Sequence, residues 1–176
     1  MPFQSSMGAH KLEVRQGDRN SIINHTGVLA AATAAGAIAG RVVSLTAGNQ
    51  LEPGLAVGRL PFFAWSGTDE NNAPDVTRTK GMPYAGQARF GTISGFAAAE
   101  LSSTEFVADA GLTPGAALTA IGITGALADR GKLKLAGATD VVVGFVAPAG
   151  QYTSPDGFAT LAFYADYVRG TTVPNA

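Results

Sequence analysis

The side chains able to take or give a proton near neutral pH are few. The two histidines, His10 and His25, lie fifteen positions apart near the start of the chain. A metal site or acid–base pair built on them would need partners from elsewhere, because no H-x-H or H-E-x-x-H spacing occurs. They are expected to be solvated or at an interface. The chain has no cysteine. Disulfides, thiolate nucleophiles and thiolate zinc sites are therefore excluded, while the compartment stays open.

Ser102, Ser103 and Thr104 stand beside Glu105. A nucleophilic serine needs a base that is itself held in place, and neither histidine is tied to this run. No G-x-S-x-G elbow is present. The stretch TGALADRGK, residues 124–132, invites comparison with a phosphate loop. It fails, because five residues separate Gly125 from Gly131 and Leu133 stands where the G-x-x-x-x-G-K-[ST] pattern needs a hydroxyl. A turn between two strands is expected there. DENNAPD, residues 69–75, is dense in oxygen ligands but lacks the central Gly and closing Glu of a calcium loop. Asn24-His25-Thr26 fits a glycosylation acceptor, and is read as accidental because MPFQSSMGAHKLEVRQGDRN has no apolar secretory segment. None of these motifs completes a catalytic site, and no cofactor or metal is expected.

Whatever these side chains do, the framework that holds them is expected to be mainly β. Short runs rich in Val, Ile, Phe, Tyr and Thr recur at 41–47, 55–65, 88–101, 103–109, 116–123, 131–137, 140–148 and 158–168. Gly, Pro, Asn and Asp clusters separate them, which predicts a single β-sandwich or β-barrel domain. AGN at 47–49 and ADRG at 128–131 suit tight turns. Residues 103–120 are read as a strand, a turn at Pro114-Gly115 and a second strand, forming a hairpin. Helical periodicity is not sustained after residue 40. The alanine-rich run 28–39 fits either a short helix or a tightly packed extended segment. At about half a membrane span, it is too short to cross a bilayer.

Three regions follow: an N-terminal arm with the alanine-rich segment (1–39), a β domain (40–170) and a short tail (171–176). In the arm, HKLEVRQ alternates in polarity and is suited to adding as a strand to something else. The segment 66–87 has no core-forming pattern and is long for a connection within a compact domain. It is expected to be ordered by a partner. Charged residues make up only 14% of the 176 residues, and the formal net charge is -1. That balance gives no reason to expect nucleic acid as a partner. In LPFFAW, Phe63 and Trp65 would share one strand face and Phe62 the other. In LAFYADY, Leu161, Phe163 and Ala165 oppose Ala162, Tyr164 and Asp166. A strand bulky on both faces is central or at a contact, so Phe62, Trp65, Phe163 and Tyr164 are candidates for self-association.

The order of these elements resembles the capsid cement (decoration) proteins of tailed bacteriophages. The resemblance lies in GRVVSLTAGNQLEPGLAVGRLPFFAWSGTDENNAPDV (40–76), ELSSTEFVADAGLTPGAALTA (100–120), GKLKLAGATDVVVGFVAP (131–148) and ATLAFYADYVRG (159–170). It implies a non-enzymatic protein, made in the host cytoplasm and bound to the outer surface of the virion shell. The implied partners are the major capsid protein and other copies of the chain, as a dimer or trimer, with no membrane and no direct nucleic-acid contact. On this basis His10, Lys11, Arg15 and Arg19 in the arm, and Asp69, Glu70, Asp75 and Arg78 in the long loop, are candidate capsid contacts. Two other readings fit the composition. One is a tail-tube or fibre subunit. The other is a small β-barrel enzyme or a β-sandwich carbohydrate-binding module, with Trp65, Tyr84, Tyr152 and Tyr164 available to stack on a sugar.

Overall fold

The computed structural model describes residues 12–16, 23–30, 40–46, 48, 50–59, 61–64, 89–94, 100–155 and 157–165. Every regular element among them is a strand. In chain order these are β1 (Leu12–Gln16), β2 (Ile23–Leu29), β3 (Val42–Leu45), β4 (Gln50–Pro53), β5 (Pro61–Ala64) and β6 (Arg89–Ser94). Then follow β7 (Glu100–Ser103), β8 (Ala117–Ala120), β9 (Leu133–Leu135), β10 (Gly144–Thr153) and β11 (Ala159–Ala165). The mainly β expectation holds.

The strands β2, β4, β3, β5 and β6 join in that order, and β6 pairs back to β2 to close a small barrel. Only the β2–β4 pair is parallel; the others are antiparallel. The remaining strands form an antiparallel sheet ordered β1-β7-β11-β10-β8-β9. This sheet also curls back on itself. Just past β7, the Glu105 carbonyl accepts from Leu133 N–H at 3.0 Å, and Val107 N–H donates to the Leu133 carbonyl at 2.8 Å. The chain after β7 thus covers the outer edge of β9, where an open sheet would leave backbone groups unpaired.

Strand alternation gives the first barrel two apolar faces. Val43 and Phe62 are cross-strand partners, and with Leu51 and Ala64 they fill the barrel interior. Val42 and Phe63, the adjacent pair, point the other way. They join Leu101, Leu118, Leu133, Leu161 and Phe163 in the core of the second sheet. The Phe63 and Phe163 rings meet there, tilted by 40° with centroids 5.2 Å apart. Such a pair contributes about 0.5–1.5 kcal/mol beyond its buried area. The two halves are also stitched by backbone bonds. Val42 N–H donates to the Gly131 carbonyl at 2.8 Å, Leu55 N–H to Ile121 at 3.2 Å, and Ile123 N–H to Leu55 at 3.2 Å.

Several expectations need correction. Residues 103–120 do not form a hairpin: β7 pairs with β1 and β11, whereas β8 pairs with β9 and β10. Thr104, Phe106 and Val107 lie beyond the end of β7, and Phe106 forms an isolated bridge with Leu133. Strand β4 falls between the expected runs 41–47 and 55–65, and the run 88–101 contains β6 and the start of β7. The strand expected at 140–148 is displaced to 144–153. It carries a large bulge, with residues 147–150 facing Ala162 between the pairs Val146–Phe163 and Gln151–Leu161. The turn at ADRG is where the sequence placed it, and of AGN only Gly48 is among the described residues. Thr46 N–H reaches the Gln50 carbonyl at 2.7 Å, and Arg130 N–H the Ala126 carbonyl at 3.1 Å. In the segment read as an arm, β1 runs along β7, and β2 lies between β4 and β6. The strand addition suggested by HKLEVRQ is therefore made to the chain's own sheet. Of the alanine-rich run, 31–39 lie outside the described residues.

Candidate functional site

The β8–β9 hairpin and the connection between β4 and β5 together frame an open cleft of about 380 Å³. One wall is Leu55 and Val57. Val57 sits on a turn and is 81% exposed, the most exposed large apolar side chain among the described residues. Thr119 and Ile121 form the floor, and Lys134, Asp140 and Val141 the far wall. Strand parity explains the floor. Leu118 and Ala120 turn into the core, so Thr119 faces outward, directly opposite Lys134 on β9. Thr119 is only 2% exposed.

The polar groups of the far wall are loosely engaged. Lys134 Nζ lies 3.6 Å from Asp140 Oδ2, beyond hydrogen-bond length. The same Oδ2 accepts the Gly137 N–H at 2.9 Å, which fixes the carboxylate at the mouth of the β9–β10 loop. The ammonium therefore keeps its donors available. The wall offers one positive and one negative group side by side, with no net charge.

Beneath the seam lies a second polar feature. Arg41 Nε donates to Glu105 Oε2 at 2.7 Å, with side chains 5% and 15% exposed. Arg41 Nη1 is buried without a hydrogen-bond partner. Next to this pair, the Ser103 hydroxyl donates to the Gly40 carbonyl at 2.9 Å and accepts the Glu105 N–H at 3.0 Å. The Ser-Ser-Thr-Glu run is thus built into the junction between the halves, with Ser102 also buried. The 124–132 stretch connects β8 to β9, as expected. It is pinned by Arg130 Nε on the Gly125 carbonyl at 2.9 Å and by Lys132 Nζ on Asp129 at 2.8 Å. That Lys132 hydrogen bond, with its charge, holds the Asp129 carboxyl below the ordinary aspartate range.

Of the candidate self-association residues, Phe62 and Phe163 are buried in the chain's own cores and cannot present a contact face. Strand β5 is bulky on both faces because it lies between two cores of the same chain. Tyr164 is 37% exposed, on the outward face of β11, across from Phe145 and Glu100. Trp65 lies outside the described residues, as do His10, Lys11, Arg19, Asp69, Glu70, Asp75 and Arg78. Arg15 falls in β1, at the register shift between Val14 and Gln16. His25 stands opposite Thr92 in the β2–β6 ladder. Among the described residues, no three His, Asp or Glu side chains gather where they could hold a metal. No helix there is long and apolar enough to cross a membrane.

Sequence reasoning missed Arg41, Val57, Thr119, Lys134 and Asp140. Arg41 merely precedes a strand-like run, and the Thr119–Lys134 pairing needs the hairpin register. Comparison of the chain with protein-family models, characterised proteins and solved structures found no match.

Proposed function

We propose that the chain is a capsid cement protein, binding the outer surface of an assembled phage shell and bridging its major subunits. The observation that carries this reading is the outward display of apolar side chains on a body whose cores are closed. Val57, Val107, Leu127 and Phe158 all stand exposed on turns or loops rather than in the cores. Single exposed apolar residues are ordinary, but Val57 also borders an open cleft lined by Leu55, Ile121 and Val141. Together these features favour a protein partner over bulk water. The segments that resemble the decoration family supply the identity of that partner, since they include β3–β5 and β7–β11.

Linkage gives the mechanism. A protein that binds assembled shell better than free subunits stabilises the shell by the difference in affinity. Many copies then resist internal pressure through individually modest contacts. The arm and the 66–87 loop are further proposed contacts. A deletion that tests the arm should stop at residue 11, because β1 begins at Leu12 and covers the edge of β7. Quantitative mass spectrometry of purified virions tests the reading. About one copy per major capsid subunit is the expected result. A few copies per particle would favour a tail component, and absence from the particle would overturn the assignment.

A further inference from the structure

The two halves of the chain repeat one topology. The first barrel runs β2-β4-β3-β5-β6 and closes β6 on β2, with β2–β4 its parallel pair. The second half runs β7-β9-β8-β10-β11 and closes β11 on β7, and the chain after β7 meets β9 in parallel at Phe106–Leu133. Counted in chain order within each half, the strand order is the same. The registers agree as well. Leu45 and Ser44 face Leu51 and Glu52 as Ala120 and Thr119 face Leu133 and Lys134. Val42 and Val43 face Phe63 and Phe62 as Ala117 and Leu118 face Phe145 and Gly144. Backbone bonds outside the ladders recur at the same positions. Gly40 N–H donates to the Ala64 carbonyl and Gly115 N–H to the Val146 carbonyl, both at 2.8 Å. Gly54 N–H donates to Val42 and Ala136 N–H to Ala117, both at 2.9 Å. Gly40 and Gly115 share a left-handed backbone, with φ 87° and 85°, a conformation that favours glycine.

We infer that the chain is two tandem copies of one barrel unit, and that its second barrel docks on the first barrel of another copy of the chain. The face used would be the counterpart of the one that joins the barrels within the chain. There the first barrel docks through the outer side of β3 and β5. Val42 and Phe63 enter the second core, and Val42 N–H donates to the Gly131 carbonyl at 2.8 Å. Their counterparts on the second barrel are Ala117 and Phe145. Phe145 is half-buried and stands directly opposite Tyr164, which is 37% exposed; neither aromatic belongs to either core. The second barrel thus carries the same face, apolar and uncovered by the chain's own cores, with aromatic residues of the kind enriched in protein contacts. The receiving side has a counterpart too. Within the chain, Leu55 N–H donates to the Ile121 carbonyl at the start of the β8–β9 connection. Ile121 corresponds to Thr46, since Ile121 N–H donates to Lys132 as Thr46 N–H donates to Gln50. The receiving site on another copy is therefore the β3–β4 turn, where Gly48 and Gln50 are exposed. Face and turn lie on different barrels, so the contact is head-to-tail and builds a ring or a row of chains.

The test uses the full-length protein in the absence of any shell. Sedimentation from about 1 μM to 1 mM should show reversible association. Tyr164→Glu, on the face, should weaken it by about tenfold or more. Gly48→Arg, on the turn, should do the same; a Cβ there meets only Thr46 Oγ1, at 3.9 Å, so the barrel tolerates it. Mixed in equal amounts, the two variants should form a complex of two chains and no larger, because one keeps its turn and the other its face. The chain has no cysteine, which allows a second readout. A short bismaleimide should join copies of the double variant Tyr164→Cys with Gly48→Cys, but not copies of Tyr164→Cys alone. If circular dichroism shows Tyr164→Glu unfolded, the cysteine variants decide. A wild-type protein that stays monomeric throughout overturns the inference, as do variants that associate like wild type. Folded variants that remain monomeric when mixed, or cross-linking of Tyr164→Cys alone, overturn the head-to-tail contact.

Discussion

Removing the Glu105 carboxylate should be among the most damaging single changes to this body. Arg41 is 4% exposed, and its Nη1 already lacks a partner. In Glu105→Ala the Nε bond is lost as well, leaving a buried guanidinium with only the weaker attraction of Asp129 to offset its charge. Breaking a buried pair in this way costs about 3–5 kcal/mol. Glu105 keeps some solvent contact, at 15% side-chain exposure. We therefore expect the lower end, about 3 kcal/mol. For a chain of this size each kcal/mol lowers Tm by about 2–4 °C, so the fall should be about 6–12 °C. Glu105→Gln keeps an acceptor for Arg41 Nε and should cost less than Glu105→Ala. The double change Arg41→Met with Glu105→Leu removes both charges and should return stability to within about 1 kcal/mol of wild type. Thermal unfolding at neutral pH, followed by circular dichroism at low and high salt, measures all three. Because the pair is buried, the Glu105→Ala deficit should change little with salt. A Tm fall below about 2 °C would place the pair in the surface class. A double variant as unstable as Glu105→Ala would show that packing, not charge, sets the loss.

Three further outcomes are expected. Gly131 has φ +78°, and a Cβ there would fall on the Val42 carbonyl oxygen, whereas Gly58 has φ +74° with open space around it. Gly58→Ala should therefore cost only the left-handed penalty of about 1–2 kcal/mol, and Gly131→Ala clearly more, as denaturant titration will show. Asp129 has a folded pKa held below its ordinary value by Lys132, so its contribution is present above about pH 4 and is lost as pH falls through the folded value. Asp129→Asn should accordingly lower Tm at neutral pH, and the difference from wild type should close in strong acid. Finally, Trp65 follows β5 of the first barrel and is the only tryptophan. Its fluorescence and the far-ultraviolet signal of the whole chain should change together on unfolding; separated transitions would mean that the halves unfold independently.

The sequence was legible where a strand carries its own alternating pattern. In β11 the side chains Leu161, Phe163 and Ala165 all enter the core, as the spacing requires, and Tyr164 stays outside. It was illegible where a strand is too short to show a period. In β4 Leu51 and Pro53 are the buried residues, yet Gln50, Glu52 and Pro53 look like turn residues. The misread hairpin at 103–120 has a different cause. Strand-forming Thr104–Val107 is extended, but its partner is Leu133, and nothing local announces a contact with β9. The cleft escaped for the same reason. Thr119 and Lys134 are ordinary residues until the β8–β9 register sets them side by side.

The fold and the cleft are linked through one strand and its continuation. Val42 and Val43 serve two cores because successive strand residues face opposite ways. Further along the chain, Leu55 docks in parallel on Gly122 of the β8–β9 connection. The cleft's two walls thus come from different halves, Leu55 and Val57 from the first and Lys134 and Val141 from the second. Their separation is fixed by the Leu55 backbone bonds to Ile121 and Ile123, and more remotely by the Phe63–Phe163 contact. Binding is weakened by whatever order a surface must acquire on contact, so a cleft held by a stitched seam loses little to that cost. The buried Arg41–Glu105 pair fits the same logic. Such a pair adds little net stability compared with apolar residues of the same size. It does oppose any slippage that would separate the two charges while they are buried. A junction built this way holds the two halves in one arrangement.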